Sequence, residues 1–240
     1  MRYSYLRESV CRVNIELSKS GLTILTWGNA SEVDRKAGVM AIKPSGVPFD
    51  KLDPDQITIV SLQTAEVIEG RGAPSSDTPT HIALYQRFES IGGIIHTHST
   101  HATAFAQARR EIPCLGTTHA DYFSGPVPVT RTMTEAEIQE AYELNTGKVI
   151  IETIEREAVN PEAIPAILVA NHGPFVWGPN AEKALENAIV LETVAEMADR
   201  TFGLNPTTPA ISQVLLNKHF LRKHGPDAYY GQKSGPTKRP

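Results

Sequence analysis

Cysteine is scarce in this chain of 240 residues, which has two, Cys11 and Cys114, and no CxxC pair. Two isolated cysteines make neither a disulfide framework nor a cysteine-rich metal site, and they fit a reducing cytoplasm. The charged N-terminal segment MRYSYLRESV lacks the apolar core of a signal peptide. No apolar run is long enough to span a membrane, so the sequence predicts a cytoplasmic protein with no membrane partner.

The chain also lacks an excess of positive charge, since its formal net charge is −4. A mildly acidic balance argues against nucleic acid as the main partner but is compatible with a local basic pocket for a phosphate. Hydrophobic residues make up 40% and charged residues 21%, as in an ordinary globular protein with a core. No linker interrupts residues 1–232, which we predict to form one α/β domain, and 233–240 are predicted to be a disordered tail.

Hydrophobic periodicity and turn residues predict a mixture of helices and strands. The predicted helices are 3–20, one starting at Thr78 and Pro79, 102–108, one starting at the Thr134/Glu137 capping box, 148–158, 181–201 after Asn180, and one from Thr208 to His224. The predicted strands are 22–26, one starting at Val39, 56–60, 64–68, GGIIHTH at 92–98, IPCLG at 112–116 and AILVANHG at 166–173.

His96 and His98 lie two residues apart at the end of the predicted strand GGIIHTH. Because residues two apart on a strand point to the same side of the sheet, both imidazoles would face one point in space. Neutral imidazole nitrogen is a good ligand for a divalent cation such as zinc. An HxH pair by itself is equally typical of a solvated strand end.

Two further side chains favour the metal interpretation. His172 lies in the His-Gly turn that ends AILVANHG, and Asp77 lies at the start of the helix before the HTH strand. Singly, His172 could stabilise a turn and Asp77 could cap a helix. Three imidazoles and a carboxylate together make a shell for Zn²⁺, with Mn²⁺ or Co²⁺ as other cations that it could hold. The sequence therefore predicts a metal site at Asp77, His96, His98 and His172.

Three short polar turns at the ends of predicted elements could bind an anion. Backbone N–H groups and serine hydroxyls in such turns suit a phosphate. The turns are Gly28-Asn29, Ser45-Gly46 and Ser75-Ser76, and Lys43 could add a positive charge. Glycine and serine also form turns without any ligand, and none of these segments is a P-loop.

Two proton carriers are candidates outside these turns. Asp121 lies in the loop HADY, and Tyr230 belongs to a Tyr-Tyr pair near the C-terminus. A buried tyrosine or carboxylate at an active site can move a proton. Considered by themselves, the residues favour a turn aspartate and an exposed aromatic pair at these positions.

The motifs taken together carry a resemblance. TWGNAS, IKPSGV, PSSDTPTH, GGIIHTHSTHAT, GTTHADYF, NHGPFVWG and LRKHGPDAYYGQ closely resemble the class II aldolase/adducin-like family, and within it the sugar-phosphate 4-epimerases. The resemblance runs from about residue 5 to Gln232. It implies a three-layer α/β/α fold with a central, mostly antiparallel sheet. It also implies a homotetramer with four-fold symmetry and active sites between neighbouring subunits.

The resemblance assigns roles to residues. It implies metal binding by Asp77, His96, His98 and His172, substrate or phosphate contacts by Gly28, Asn29, Ser45, Gly46, Ser75 and Ser76, and acid/base work by Asp121 and Tyr230. On this basis we expect the metal ligands and Asp121 to come from one chain and Tyr230 from the next. Asn171 before His172 and the length of the tail depart from the family pattern without removing a ligand.

The reaction that the resemblance implies interconverts L-ribulose 5-phosphate and D-xylulose 5-phosphate by breaking and re-forming the C3–C4 bond. A true class II aldolase of the fuculose-phosphate type is one alternative, but that branch looks to have Glu where this chain has Asp77. A non-catalytic adducin-like scaffold is another, and it would be expected to lose the metal histidines. The resemblance fits service in an L-arabinose pathway or in an ascorbate-type pathway.

Overall fold

The computed structural model describes residues 3–230, in which seven strands and seven α-helices alternate irregularly along the chain. The strands are β1 Asn29–Asp34, β2 Val39–Ile42, β3 Thr58–Ser61, β4 Val67–Glu69, β5 Gly93–His96, β6 Ala166–Val169 and β7 Gly173–Gly178. The helices are α1 Ser4–Lys19, α2 Thr78–Arg87, α3 Thr100–Ala108, α4 Thr117–Ala120, α5 Glu135–Arg156, α6 Ala181–Leu204 and α7 Gln213–His224.

All seven strands belong to one sheet in the order β4-β3-β2-β1-β5-β7-β6. Every neighbouring pair in this order is antiparallel. β5 therefore lies between β1 and β7, although these two strands are far apart in sequence. The prediction of an α/β fold around a mostly antiparallel sheet is confirmed.

Helices cover both faces of the sheet, because successive strand residues point to opposite sides. Ile95 packs into a core with side chains of α1, α3 and α6, such as Val13, Phe105 and Leu185. Its neighbour Ile94 packs on the other face with side chains of α2 and α5. The result is the expected three-layer α/β/α arrangement, with a separate apolar core on each side of the sheet.

The N-terminal end of α6 is packed closely onto the backbone of β5. Asn180 caps this helix, with its side-chain oxygen accepting from the Lys183 N–H at 2.8 Å, as predicted. A Cβ on Gly93 would lie 2.2 Å from the Ala181 nitrogen, a distance that real side chains do not reach. Only glycine at position 93 allows this contact between helix and strand.

A buried amide ties α1 to β1. Asn14 is fully buried, and its Nδ2 donates to the Ala30 carbonyl at 3.1 Å while its Oδ1 accepts from the Ala30 N–H at 2.8 Å. Both backbone groups of Ala30 face the helix and would otherwise be unpaired at the start of the strand. Asn14 therefore fixes the position at which β1 begins, next to Asn29.

Several element boundaries differ from the sequence predictions. The predicted strand 22–26 is wrong, because Leu25 has φ +56° and the segment turns before β1 begins at Asn29. The segment 112–116 forms only an isolated bridge, between Ile112 and Val127. β7 was not predicted, since its glycines and proline hide a strand that is buried on both faces.

Two helices also begin at residues that differ from the predicted ones. Thr78 is the first residue of α2 and Asp77 occupies the N-cap position, so the predicted cap is one residue late. Helix α7 begins after Ser212, whose hydroxyl accepts from the Leu215 N–H, and not at Thr208. The capping box of Thr134 with Glu137 is confirmed as the start of α5.

The domain boundaries remain predictions. The tail 233–240 lies outside the described residues, and residues 1–232 as one domain stay an expectation. Within residues 3–230, no helix combines the length and apolar character needed to cross a bilayer.

We predict that Gly93→Ala destabilises the protein by about 3 kcal/mol or more, because the new methyl group overlaps the backbone of α6. Gly203→Ala is the matched control, since a Cβ at this helical glycine meets nothing within 4 Å. It should leave stability unchanged or raise it by up to about 1 kcal/mol. Urea unfolding followed by circular dichroism measures both, and equal midpoints for the two variants would contradict the close approach.

Candidate functional site

One edge of the sheet carries three aligned residues. The antiparallel register places Asn29 of β1 opposite His96 of β5, and His96 opposite Phe175 of β7. The turn before β1 is drawn onto the same edge, because Gly28 has φ +87° and a Cβ there would lie 2.8 Å from the His96 carbonyl oxygen. The register therefore brings segments from three distant parts of the chain to one point.

Three histidines meet at this edge. His98 lies just beyond the end of β5, and His172 lies in the turn between β6 and β7. Their ring centroids and that of His96 are 4.7 to 5.0 Å apart. One ligand atom from each falls within 4.8 Å of the others. The convergence predicted from HxH is present, although β5 ends at His96 and a turn brings His98 into place.

The surroundings keep these imidazoles in the form that binds metal. The His96 Nδ1 donates to the Pro174 carbonyl at 2.9 Å, which leaves Nε2 as its unprotonated nitrogen, 3.1 Å from the His98 Nε2. The His96 ring stacks on Phe175 at 4.2 Å. Burial and the neighbouring His96 and His98 lower the pKa of His172 to about 3. Burial also lowers the pKa of His98. Three imidazoles with converging nitrogens could hold a divalent cation.

Asp77 faces the same space but is held by other partners. Its Oδ2 accepts from the Asn29 side-chain N–H at 2.6 Å and from the Ser75 hydroxyl at 3.5 Å. Burial alone would raise the pKa of Asp77, yet His96, His81 and the Asn29 hydrogen bond hold it below its ordinary value. The compact set of candidate ligands among the described residues contains the three histidines without Asp77. Metal ligation by Asp77 remains a prediction.

Two of the predicted phosphate turns lie side by side. The Ser45 N–H donates to the Ala73 carbonyl at 2.9 Å, and the Ser75 N–H donates to the Lys43 carbonyl at 3.0 Å. Lys43 is only 2% exposed, and burial lowers its pKa to about 8. Its Nζ donates to the Pro44 carbonyl at 3.3 Å and has no carboxylate partner in the described chain. A buried ammonium without a counterion is the environment that an anionic ligand would complete.

A cleft of about 520 Å³ joins the histidines to these turns. Every predicted metal and substrate-binding residue lines it, namely Gly28, Asn29, Lys43, Ser45, Gly46, Ser75, Ser76, Asp77, His96, His98 and His172. The buried Asn29 Oδ1 has no hydrogen-bond partner among the described residues, so it can accept from a ligand. The sequence thus predicted most of the residues that line a single cleft, although these residues are spread over 145 positions of the chain.

Five lining residues of the cleft were not predicted from the sequence, namely Thr26, Trp27, Pro44, Tyr142 and Glu143. Trp27 lies 6.3 Å from His98 between ring centroids, the Tyr142 hydroxyl lies 3.3 Å from His172 Nδ1, and Glu143 also lines the cleft. Tyr142 and Glu143 follow Ala141, whose φ −156° and ψ 70° interrupt α5. Helical periodicity predicts a continuous α5, so the kink that turns these side chains inward leaves no signal in the sequence.

Asp121 and Tyr230 do not line the cleft of their own chain. They lie together on a second surface, the α4–α7 patch, which we define by Asp121, His219, Arg222 and Tyr230. The Asp121 carboxylate accepts from Arg222 Nη2 at 2.8 Å and from His219 Nδ1 at 3.0 Å. The Arg222 guanidinium lies 4.4 Å from the centre of the Tyr230 ring. The expectation that Asp121 accompanies the metal ligands of its own chain is therefore corrected.

The α4–α7 patch holds the carboxylate in its charged form. Burial by itself would raise the pKa of Asp121, but hydrogen bonds from Arg222 and His219 and their charges lower it. The end of the described chain is held on the same patch, since the Tyr229 and Tyr230 N–H groups both donate to the Arg222 carbonyl at 3.0 Å. His219 and Arg222 were missed as candidates. Their i,i+3 spacing places both side chains on one face of α7, and this was the sequence signal that could have identified them.

Comparison with known proteins adds the family. A sequence model of the class II aldolase and adducin N-terminal domain matches residues 8–198. The chain belongs to this family. The match contains the three histidines and the whole cleft described above, and it also contains Asp121.

Curated relatives within the family are close. The L-ribulose-5-phosphate 4-epimerase UlaF of Salmonella paratyphi B is 54% identical over 228 residues, which cover 95% of this chain and 99% of the relative. The protein of the same name from Salmonella typhi is also 54% identical, with the same coverage.

Solved structures agree in fold. An L-fuculose 1-phosphate aldolase superposes with a TM-score of 0.75 at 25% identity, covering 89% of this chain and 93% of the other. The L-fuculose-1-phosphate aldolase from Thermus thermophilus has a TM-score of 0.63 at 24% identity, covering 86% and 98%, and shows the fold alone.

We predict that Arg222→Gln raises the pKa of Asp121 towards its ordinary value of 3.8, because the charged hydrogen bonds that favour the carboxylate are lost. In the wild-type protein, the interaction of Arg222 with the Asp121 carboxylate stabilises the fold above pH 3.8. This contribution is lost as the pH falls through the lowered pKa of Asp121 in the folded state. Carboxyl-carbon NMR titration gives the pKa. Arg200→Gln, which removes an exposed arginine paired with Glu196, should leave it unchanged. An unaltered Asp121 pKa in Arg222→Gln would contradict the assignment.

Proposed function

We propose that this protein is an L-ribulose-5-phosphate 4-epimerase, which interconverts L-ribulose 5-phosphate and D-xylulose 5-phosphate. The observation that carries the proposal is 54% identity to curated enzymes of this name over 95% of the chain. The converging histidines and the cleft with a buried lysine support it, since both suit a phosphorylated sugar. A non-catalytic scaffold would not need to keep either feature.

The chemistry of the sugar requires more than proton removal. The C4 hydrogen is not adjacent to the C2 carbonyl, so it is not acidic and simple deprotonation cannot invert C4. Removal of the C4 hydroxyl proton with cleavage of the C3–C4 bond gives a three-carbon enediolate and glycolaldehyde phosphate. Rotation of the aldehyde exposes its opposite face, and re-forming the bond inverts C4.

The proposal assigns metal binding to His96, His98 and His172, with Asp77 as the fourth protein group. Zinc is the proposed ion because three imidazoles suit it well, and Mn²⁺ or Co²⁺ could occupy the same ligands. The ion supplies Lewis-acid stabilisation of the negative charge that develops on the sugar oxygens. The lowered pKa values of His98 and His172 and the convergence of the three rings support this assignment.

The phosphate is assigned to the paired turns. Gly46 and Ser76 offer backbone N–H groups, Ser45, Ser75 and Ser76 offer hydroxyls, and Lys43 offers a positive charge without a carboxylate partner in the described chain. An anchored phosphate keeps the aldehyde fragment in the cleft while its carbonyl rotates. Gly28 and Asn29 border the space between the phosphate and the histidines, and Asn29 can accept from a sugar hydroxyl through its unpartnered Oδ1.

The proton carriers are assigned to a neighbouring subunit. Asp121 and Tyr230 share the α4–α7 patch and are absent from the lining of their own cleft, so a second chain must bring them to the substrate. We propose a homotetramer in which each site pairs the cleft of one chain with the α4–α7 patch of the next. In a closed ring with head-to-tail interfaces, every cleft is completed in this way.

A cytoplasmic location and a small-molecule partner complete the proposal. Cys11 and Cys114 are buried and unpaired, which suits a reducing compartment. The proposed partner is a phosphorylated pentulose, with neither nucleic acid nor membrane involved. An L-arabinose pathway is one setting for such an enzyme.

The decisive assay supplies L-ribulose 5-phosphate and measures D-xylulose 5-phosphate. We expect epimerisation to exceed release of free glycolaldehyde phosphate by at least about 100-fold, because the phosphate anchor retains the fragment. Stopped-time assays with an aldehyde-trapping reagent measure the released fragment separately. Rapid release with little D-xylulose 5-phosphate would favour a sugar-phosphate aldolase, the activity named for the structural neighbour.

We predict that His98→Asn loses bound metal and epimerase activity together, since one of three converging ligands is removed. The loss of metal affinity should exceed the roughly 10- to 100-fold cost of losing an outer contact to a ligand. His101→Asn is the matched control, because His101 pairs with Asp199 at 3.6 Å and lies outside the cleft lining. Elemental analysis measures the metal, and full wild-type activity after exhaustive chelation would contradict the metal role.

Mixed oligomers test the shared site. In mixed oligomers of the variants His98→Asn and Asp121→Asn, one kind of interface is intact. It joins the cleft of an Asp121→Asn chain, which keeps His98, to the α4–α7 patch of a His98→Asn chain, which keeps Asp121. Random mixing restores roughly a quarter of the interfaces. Asp121→Asn mixed with Tyr230→Phe should show no rescue, because both residues belong to one patch. Co-expression of differently tagged variants and an epimerase assay of the purified mixed oligomers measure this. Rescue by the second pair alone would contradict the proposed pairing.

A further inference from the structure

A polar chain of side chains is buried beneath the cleft, between α2 and β1. His81, Ser31 and Tyr85 are all fully buried. The Ser31 hydroxyl lies 2.7 Å from His81 Nδ1 and 2.8 Å from the Tyr85 hydroxyl. Ser31 is two residues beyond Asn29 on β1, so it points to the same face of the sheet as that cleft residue. The chain links the interior of the protein to the floor of the site.

The positions of the protons in this chain follow from its partners. The Tyr85 oxygen accepts from the Ile94 backbone N–H, so its own proton goes to Ser31. The Ser31 proton is then free for its other partner, His81 Nδ1. A buried hydroxyl group does not leave its proton unused when an acceptor is within reach. Because His81 accepts at Nδ1 and its ring is neutral in this buried position, its single proton is on Nε2.

This Nε2 proton has no acceptor among the described residues. The His81 ring packs edge-on against Phe175, with 5.9 Å between centroids, and Phe175 stacks on the metal-site residue His96. Asp77 precedes His81 by one helical turn, and the His81 N–H donates to the Asp77 carbonyl at 3.1 Å. Helical side chains four residues apart lie on one face, with the later side chain leaning over the earlier turn. Asp77 is the acid whose charge acts on His81.

Asp77 has one oxygen to spare. The Asn29 amide and the Ser75 hydroxyl both act on Oδ2. Two donors on one oxygen fix its position but leave rotation about the carboxylate axis to be set by whatever meets Oδ1. A donor from the α2 side would complete the constraint.

We propose that His81 is a positioning residue for the metal site: its Nε2–H, set by the Tyr85–Ser31 relay, orients the Asp77 carboxylate towards the three histidines. The inference rests on the metal site of the proposed function and not on the identity of the sugar. It assigns a role to three buried residues that never touch substrate.

The tautomer can be measured directly on the wild-type, metal-free protein. Histidine labelled with ¹⁵N and long-range ¹H–¹⁵N correlation report which ring nitrogen carries the proton, and the signals missing from His81→Gln identify His81. The expected result is a neutral ring protonated on Nε2. A ring protonated on Nδ1 would overturn the proposal.

Metal affinity separates positioning from packing. His81→Phe fills the space without a donor, His81→Gln replaces the donor at the Nε2 position, and His81→Asn replaces only the Nδ1 position. Titration with Co²⁺, followed by its visible absorption and by competition with a chelator, should show a loss of about tenfold or more for Phe and Asn. The glutamine variant should recover most of it. Equal affinities for the glutamine and asparagine variants, or wild-type affinity for His81→Phe, would overturn the proposal.

Two further variants protect the test from a folding defect. Ser31→Ala leaves His81 in place but removes the donor to Nδ1, so Nδ1-protonated rings should appear and Co²⁺ affinity should fall. His119→Gln is the control for Co²⁺ binding, because His119 is also a buried histidine with an unpartnered nitrogen but bonds the Gly125 carbonyl away from the cleft. It should bind Co²⁺ like wild type. Loss of affinity in His119→Gln as large as in His81→Phe would assign the effect to general destabilisation and overturn the positioning role.

Kinetics provide the last readout. In His81→Phe, kcat for epimerisation should fall about tenfold or more while KM changes less than about twofold, because the phosphate turns are untouched. An unchanged kcat would overturn the proposal. If wild-type protein shows no epimerase activity, the proposed function fails, whereas the NMR and Co²⁺ results still decide the role of His81.

Discussion

The site depends on the antiparallel register of β1, β5 and β7. Register fixes Asn29, His96 and Phe175 in one row at the sheet edge. A shift of one residue would turn His96 to the opposite face, into the core with α3 and α6. The turn at Gly28 and the turn before Gly173 both approach this row closely. Glycine is required at position 173, because a Cβ there would lie 2.7 Å from the Thr97 carbonyl oxygen. Everything that converges on the cleft follows from that alignment.

Two buried polar groups of the cleft lack the protein partner that a ligand could supply. Lys43 is buried without an acid, and Asn29 Oδ1 has no donor in the described chain. Burying such groups costs stability, and folding tolerates the cost because the apolar cores on both faces of the sheet exceed it. His98 and His172 are neutral for the same reason, since burial disfavours their charged forms. Under the proposed function, the same desolvation favours the binding of a cation and a phosphate.

The cleft and the α4–α7 patch differ in their electrostatics. The cleft holds neutral imidazoles and a buried lysine, whereas the α4–α7 patch holds a carboxylate paired with Arg222. Under the proposed function, these surfaces meet only when two subunits assemble. The exposed Tyr230, 50% accessible in the single chain, would then be covered by a neighbour. Assembly and catalysis would depend on the same contact.

The sequence by itself determined most of the cleft residues and the family, because short motifs at element ends carry the HxH spacing and the polar turns. It also implied the three-layer sheet fold, through the resemblance of those motifs to the family. Only the tertiary structure decided the rest. The kink at Ala141 that admits Tyr142, the separation of Asp121 from the histidines and the relay through His81 all depend on which elements pack together. Those contacts join residues far apart in the chain, and periodicity describes only neighbours along it.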